Sequence, residues 1–224
     1  MCEAMQHSKN TANVKAPVFS ISRLRMGTDG EGITTLVTFM GCPLGCRYCL
    51  NAKCHEPIYD HKHRTPRKGI MLLTPNELYE QVTVDNLYFQ ATGGGVCFGG
   101  GEPTLYPEFI EEFKKHCEAR WKITLETCLE CSYNAIQRLS EVVDHWIVDI
   151  KSLDPVVYED YTGSMSGVVQ HLYSLKRLVP QERITVKVSR IPGYNDDVDL
   201  DSDIREIKER FGFTDVYKVE YIKR

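Results

Sequence analysis

Thr35-Leu36-Val37-Thr38-Phe39-Met40-Gly41-Cys42-Pro43-Leu44-Gly45-Cys46-Arg47-Tyr48-Cys49 joins an apolar, β-branched run to three cysteines within eight residues. The run has the composition of a buried strand, and Gly41 marks where it stops. Three thiolates at this spacing can cap three corners of a cubane iron–sulfur cluster. A fully ligated cluster takes four cysteines, so three leave one iron open to a small molecule. An open iron is reactive, and the chain therefore reads as an enzyme. Zinc is the alternative, with Cys54 or His55 as a further ligand. Structural zinc sites usually pair two C-x2-C units, and the comparable second pair here is Cys128-Leu129-Glu130-Cys131.

Outward from this stretch, short Val/Ile/Leu/Phe-rich runs alternate with helical patterns to the C-terminus. Strands are expected at 35–41, 95–99, 122–127, 146–151, 184–191 and 217–222. Helices are expected at 75–90, 107–119, 133–142, 168–178 and 202–211. Thr74-Pro75-Asn76-Glu77 has the form of a capping box with proline at the first helical position. Strands separated by helices give an α/β architecture, an open sheet or a barrel, with ligands gathering at the C-terminal ends of parallel strands. Residues 1–16 read as a flexible N-terminal extension and 17–224 as one domain.

Bulk composition narrows the function classes. The 224 residues are 42% hydrophobic and 26% charged, with a formal net charge of -4. That balance points to neither nucleic acid nor membrane as a partner. No apolar run approaches the ~20 residues needed to span a bilayer. The first ten residues lack the apolar centre of a secretory signal, so the expected location is the cytoplasm. Nine cysteines, three of them clustered, fit a metal centre better than a disulfide scaffold. An exposed cluster with an open iron favours an anaerobic setting.

Four further motifs fall at expected strand ends. Gly93-Gly94-Gly95-Val96-Cys97-Phe98-Gly99-Gly100-Gly101-Glu102-Pro103-Thr104 flanks a strand with glycines, which let backbone approach a ligand, and adds a carboxylate able to hold an ammonium. Leu125-Glu126-Thr127 ends the third expected strand. Val148-Asp149-Ile150-Lys151 ends the fourth, and alternation puts Asp149 and Lys151 on one face. A buried charge needs a partner, so an inward pair marks a polar pocket or a rim salt bridge. Arg190-Ile191-Pro192-Gly193-Tyr194-Asn195-Asp196-Asp197 reads as a turn closing the fifth strand, where Lys187 can add positive charge.

These residues together resemble the radical S-adenosylmethionine (SAM) enzymes, and among them the activases of glycyl radical enzymes, such as those acting on pyruvate formate-lyase. The resemblance rests on the C-x3-C-x2-C motif and on Asp29-Gly30-Glu31-Gly32. It rests also on the glycine run to Glu102, on Asp149-x-Lys151 and on the Pro-Gly-x-Asn-Asp-Asp turn. It extends from about Thr28 to Tyr221. It implies a partial (β/α)6 barrel holding one 4Fe-4S cluster and SAM. In the implied chemistry, one electron splits the SAM sulfonium, and the resulting 5′-deoxyadenosyl radical abstracts a hydrogen atom. In activases that atom comes from a glycine of a large partner enzyme, and flavodoxin or ferredoxin supplies the electron.

The resemblance also implies residue roles. Cys42, Cys46 and Cys49 would bind iron. Gly100, Gly101 and Glu102 would receive the methionine amino group, and Tyr48 would lie near the adenine. Asp149 and Lys151 would face the carboxylate end, with Lys187 adding a basic group. Some activases hold a monovalent cation there, at positions matched by Glu126, Thr127 and Asp149. The usual activase pattern Asp-Thr-Asn-Gly is Glu126-Thr127-Cys128-Leu129 in this chain. The alternative function is a radical SAM enzyme acting directly on a small molecule or peptide, using His55, His61, His63 and Arg64. A non-catalytic iron–sulfur electron carrier is a third reading, disfavoured by the Gly100-Gly101-Glu102 set.

Overall fold

A computed structural model describes residues 14–60, 62–165, 167–196 and 199–220. Among the described residues eight strands form: β1 (Ala16–Met26), β2 (Ile33–Phe39), β3 (Met71–Leu73), β4 (Gly95–Gly100), β5 (Lys122–Thr127), β6 (His145–Ile150), β7 (Ile184–Arg190) and β8 (Asp215–Glu220). They make one sheet in the order β3-β1-β2-β4-β5-β6-β7-β8. From β2 to β8 every pairing is parallel. These are the six strands expected from the sequence, in a radical-SAM-type α/β arrangement. The order is linear, with β3 at one edge and β8 at the other, so the barrel is left open.

Two strands escaped the sequence reading. β1 pairs antiparallel with β2 and with β3. Only its first three residues are buried, and Ser-Ile-Ser-Arg-Leu-Arg hides its strand character. β3 has three residues, too few for a period. The sheet begins at Ala16, and residues 1–13 lie outside the described part.

The helices are α1 (Pro75–Val82), α2 (Asn86–Thr92), α3 (Pro107–His116), α4 (Tyr133–Ser140), α5 (Pro155–Thr162), α6 (Val168–Leu178) and α7 (Leu200–Glu206). The capping box forms: the Glu77 amide donates to Thr74 Oγ1 at 3.2 Å, and the Thr74 amide donates to Glu77 Oε2 at 2.7 Å. The single helix expected at 75–90 is instead two helices joined by a 3-10 turn, Thr83–Asp85. The break is where Asp85 turns inward to Arg23 and Thr35. The last expected helix begins at Leu200 and ends in a π turn, Ile207–Phe211, stopped by Gly212. Helix α5 was not expected. It carries no apolar stripe, but Asp154 caps Val156 and Val157, Pro155 starts it and Gly163 closes it in the left-handed conformation.

Alternation gives the sheet two different faces. Phe39, Val96, Phe98, Ile123, Leu125, Trp146, Val148, Ile150, Val186 and Val188 join the core with helix residues such as Phe109, Phe113, Ile136, Leu139 and Leu172. Phe98 stacks on Phe39 at 5.3 Å and meets Phe113 of α3 edge-on at 5.3 Å. The intervening residues Cys97, Thr124, Glu126, Asp149, Lys187 and Ser189 share the opposite face, which is polar and charged. Among the described residues no helix is long and apolar enough to cross a membrane.

Candidate active site

The three cysteines lie on the loop leaving β2, at the C-terminal end of the parallel strands. All three are partly buried. The loop is tied at several points. Tyr106 donates its hydroxyl to the Met40 carbonyl at 2.7 Å. The Gly41 amide donates to the Cys54 carbonyl at 2.7 Å, the Gly45 amide to Thr162 at 2.8 Å and the Arg47 amide to Tyr161 at 3.1 Å. Helix α5 therefore anchors the cysteine loop through its last turn.

The end of β4 docks against the start of this loop. The Gly101 amide donates to the Phe39 carbonyl at 3.0 Å and the Glu102 amide to that of Gly41 at 2.8 Å. A side chain cannot fit here. A Cβ at Gly100, where φ is 86°, would stand 2.5 Å from Thr38 Cβ, and one at Gly101 would stand 2.1 Å from the Gly41 oxygen. Glu102 is 1% exposed, and its carboxylate is filled by protein donors. Oε1 accepts from the Thr104 amide at 3.0 Å and from the Thr104 and Thr127 hydroxyls at 2.7 Å. Oε2 accepts from the Cys128 amide and thiol, each at 2.9 Å. Glu102 thus ties the end of β4 to that of β5.

The charged residues of the polar face pair along the end of β6 and across it, from β7 to β5. Lys151 Nζ lies 2.6 Å from Asp149 Oδ2, and Ser189 donates to Asp149 Oδ1 at 3.0 Å. Asp149 stands in register with Lys187, whose Nζ lies 2.9 Å from Glu126 Oε1. Burial pushes the Asp149 carboxyl up, but Lys151, Ser189 and Lys187 outweigh it and hold it below the usual carboxylate range. Burial pushes the Lys151 and Lys187 ammoniums down, but the paired carboxylates hold both above the usual lysine value. Glu126, Thr127 and Asp149, the residues matched to a cation site, have these lysines and Glu102 as partners. Two ammoniums stand where a monovalent cation would act, so these residues do not fit one.

Two of the three loop thiols have a second cysteine beside them. Burial pushes Cys46 up to about 11, with the nearby Lys151 charge opposing. A hydrogen bond from the Cys54 thiol brings Cys49 down to about 5. The neighbouring Cys128 thiol holds Cys42 below its ordinary value. Soft, partly buried sulfurs at the mouth of a polar sheet face are a suitable donor set for a cluster. Among the described residues, the one group of three possible metal ligands within 4.8 Å of one another is Cys49, Cys54 and His55. Cys42, Cys46 and Cys49 do not form such a group.

Tyr48 lies in an aromatic group. Its ring centroid is 6.4 Å from that of Tyr161 on α5 and 5.8 Å from that of Tyr194, and the latter two are 5.1 Å apart. The sequence reading missed Tyr161, Tyr194 and Ser189 as site residues. Tyr194 had a signal, since it sits inside the turn motif after β7. Asn195 closes that turn, accepting from the Ile191 amide at 2.6 Å and donating to the Ser189 carbonyl at 2.8 Å. Asp197 lies outside the described residues, as does His61. His63 pairs with Asp60 at 3.3 Å, two-thirds exposed. Asp29-Gly30-Glu31-Gly32 joins β1 to β2 at the opposite end of the sheet from the cysteines.

Comparison with known proteins accords with this geometry. Residues 36–209 match the Radical SAM superfamily. The (2S)-3-sulfopropanediol dehydratase activating enzyme of Klebsiella oxytoca is 26% identical over 237 residues, covering 81% of this chain and 73% of the relative. The pyruvate formate-lyase 1-activating enzyme of Escherichia coli K12 is 27% identical over 203 residues, covering 87% and 75%. In fold, QueE from Escherichia coli superposes with a TM-score of 0.51 at 12% identity, over 96% of this chain and 100% of that chain. Streptococcus suis SuiB bound to its precursor peptide SuiA gives 0.55 at 16% identity, over 84% and 39%. With the cysteine loop, the glycine-lined strand end and the open parallel sheet in place, the chain belongs to the radical SAM superfamily, whose enzymes use a 4Fe-4S cluster and S-adenosylmethionine.

Proposed function

We propose that this enzyme is an activase that abstracts a hydrogen atom from a glycine of a partner glycyl radical enzyme. The observation that carries the proposal is the sequence likeness to activating enzymes over most of both chains. The open edge between β3 and β8 supports it, because a glycine loop of a partner needs lateral access.

In this reading Cys42, Cys46 and Cys49 hold the cluster. Gly100 and Gly101 receive the methionine amino group, with Glu102 fixing their backbone. Lys151 and Lys187 face the methionine carboxylate, held in place by Asp149 and Glu126, and Tyr48 lies beside the adenine with Tyr161 and Tyr194. When bound, cluster and SAM supply the hydrogen-abstracting 5′-deoxyadenosyl group after one-electron reduction by flavodoxin or ferredoxin. The protein's own work is to orient SAM on the polar face and to exclude water behind the tyrosines.

The test is electron paramagnetic resonance on glycyl radical enzymes incubated anaerobically with reduced enzyme and SAM. A glycine-centred doublet is expected on one of them. SAM cleavage that modifies a small molecule or peptide, with no doublet on any candidate partner, would overturn the activase reading.

A further inference from the structure

Cys54 has no part in the chemistry above, yet it is 2% exposed and is held in place by backbone. It lies on a 3-10 turn, Ala52–His55, directly after the cysteine loop. Its amide donates to the Asn51 carbonyl at 2.8 Å, and its carbonyl accepts from the Gly41 amide at 2.7 Å. This double tie folds the turn back onto the start of the loop. The Cys54 thiol, the Cys49 thiol and a ring nitrogen of His55 thereby come within 4.8 Å of one another.

That spacing suits a single ion. Zinc binds sulfur at about 2.3 Å and imidazole nitrogen at about 2.0–2.1 Å in tetrahedral geometry, which places neighbouring ligand atoms about 3.5–3.8 Å apart. Small side-chain rotations close the gap. Two thiolates and an imidazole are soft and borderline donors, and they select zinc, iron(II) or cobalt(II) over hard cations. His55 is exposed, so an ion can enter from solvent and keep water in the fourth position. The two thiols release their protons to solvent on binding.

We propose that Cys49, Cys54 and His55 form a mononuclear site for a soft divalent cation in the cluster-free protein. Cys49 cannot ligate this ion and the cluster together, so the two occupancies exclude each other. The site itself stands on geometry alone; the exclusion rests on the cluster reading above.

The test is titration of the full-length, cluster-free protein with cobalt(II) under anaerobic conditions. It is followed by thiolate-to-cobalt charge transfer and tetrahedral d–d absorption. One equivalent is expected to bind with both signatures. Cys54→Ala, Cys54→Ser and His55→Ala should each weaken binding at least about ten-fold, while Cys46→Ala leaves it unchanged. Circular dichroism checks that each variant is folded, and the near-isosteric Cys54→Ser decides if Cys54→Ala is not. Cobalt bound without charge transfer, equally well by Cys54→Ser, or lost in Cys46→Ala would overturn the site. One equivalent of zinc added first should slow cluster reconstitution in the wild type but not in Cys54→Ser/His55→Ala. An unaltered wild-type rate would overturn the exclusion. The cluster reading itself fails separately, if Cys46→Ala assembles a full cluster.

Discussion

Leu129 adopts φ 61° directly after Cys128, in the left-handed region that costs an L-residue about 1–2 kcal/mol. It is fully buried, and its amide donates to Thr127 Oγ1 at 2.8 Å, so packing and this bond hold the strained conformation. Leu129→Gly should retain more stability than Leu129→Ala by about 1 kcal/mol, read from urea denaturation; the reverse order would refute the left-handed assignment. Cys46→Ala is expected to abolish cluster absorbance and SAM cleavage, since it removes one of the three sulfurs of the loop after β2. Cys54→Ala should keep iron and cleavage near wild type under cluster-loading conditions, and iron loss would make Cys54 a cluster ligand. At this scale the Asp149/Lys151 pair was legible because alternation fixes which side chains share a face. The Tyr48–Tyr161–Tyr194 group was not, because its members come from three segments and no local pattern links them.

Asp85 shows how an element boundary is set from a distance. It is fully buried and accepts from Arg23 on β1 at 2.8 Å and from Thr35 on β2 at 2.8 Å. Burial pushes its carboxyl up, but these two donors outweigh it and hold it below the usual value. A lowered folded pKa means that its stabilisation is present above the unfolded pKa of about 3.9 and is lost as pH falls through the lower folded value. Asp85→Ala should cost about 1–3 kcal/mol near neutrality by leaving the Thr35 hydroxyl unpaired. The stability gap to wild type should shrink in acid below about pH 4; a gap constant with pH would show that the charge plays no part. The expected unbroken helix at 75–90 failed for this reason: its periodicity was real, but a long-range partner redirected Asp85. Gly101→Ala is expected to shift the cysteine loop, because its Cβ would meet the Gly41 carbonyl. The check is cluster content after reconstitution, which should fall sharply while far-ultraviolet circular dichroism is retained.

Across the whole molecule, the polar sheet face supplies its own cations. Lys187 and Lys151 neutralise Glu126 and Asp149 on three neighbouring parallel strands. SAM affinity measured by calorimetry should therefore be the same in potassium, sodium and tetramethylammonium salts at equal ionic strength. A several-fold gain specific to potassium would mean that the carboxylates release their lysines to a metal. The six parallel strands, the three clustered thiols and the polar strand ends could be read from the chain alone, because period-2 alternation and cysteine spacing are properties of contiguous residues. Folding was needed to show that α5 clamps the cysteine loop, that Glu102 is consumed in joining β4 to β5, and that lysines pair with Glu126 and Asp149. Each of these depends on which buried donor lies nearest an acceptor once the strands are in register, and that distance is written in no local stretch of the chain.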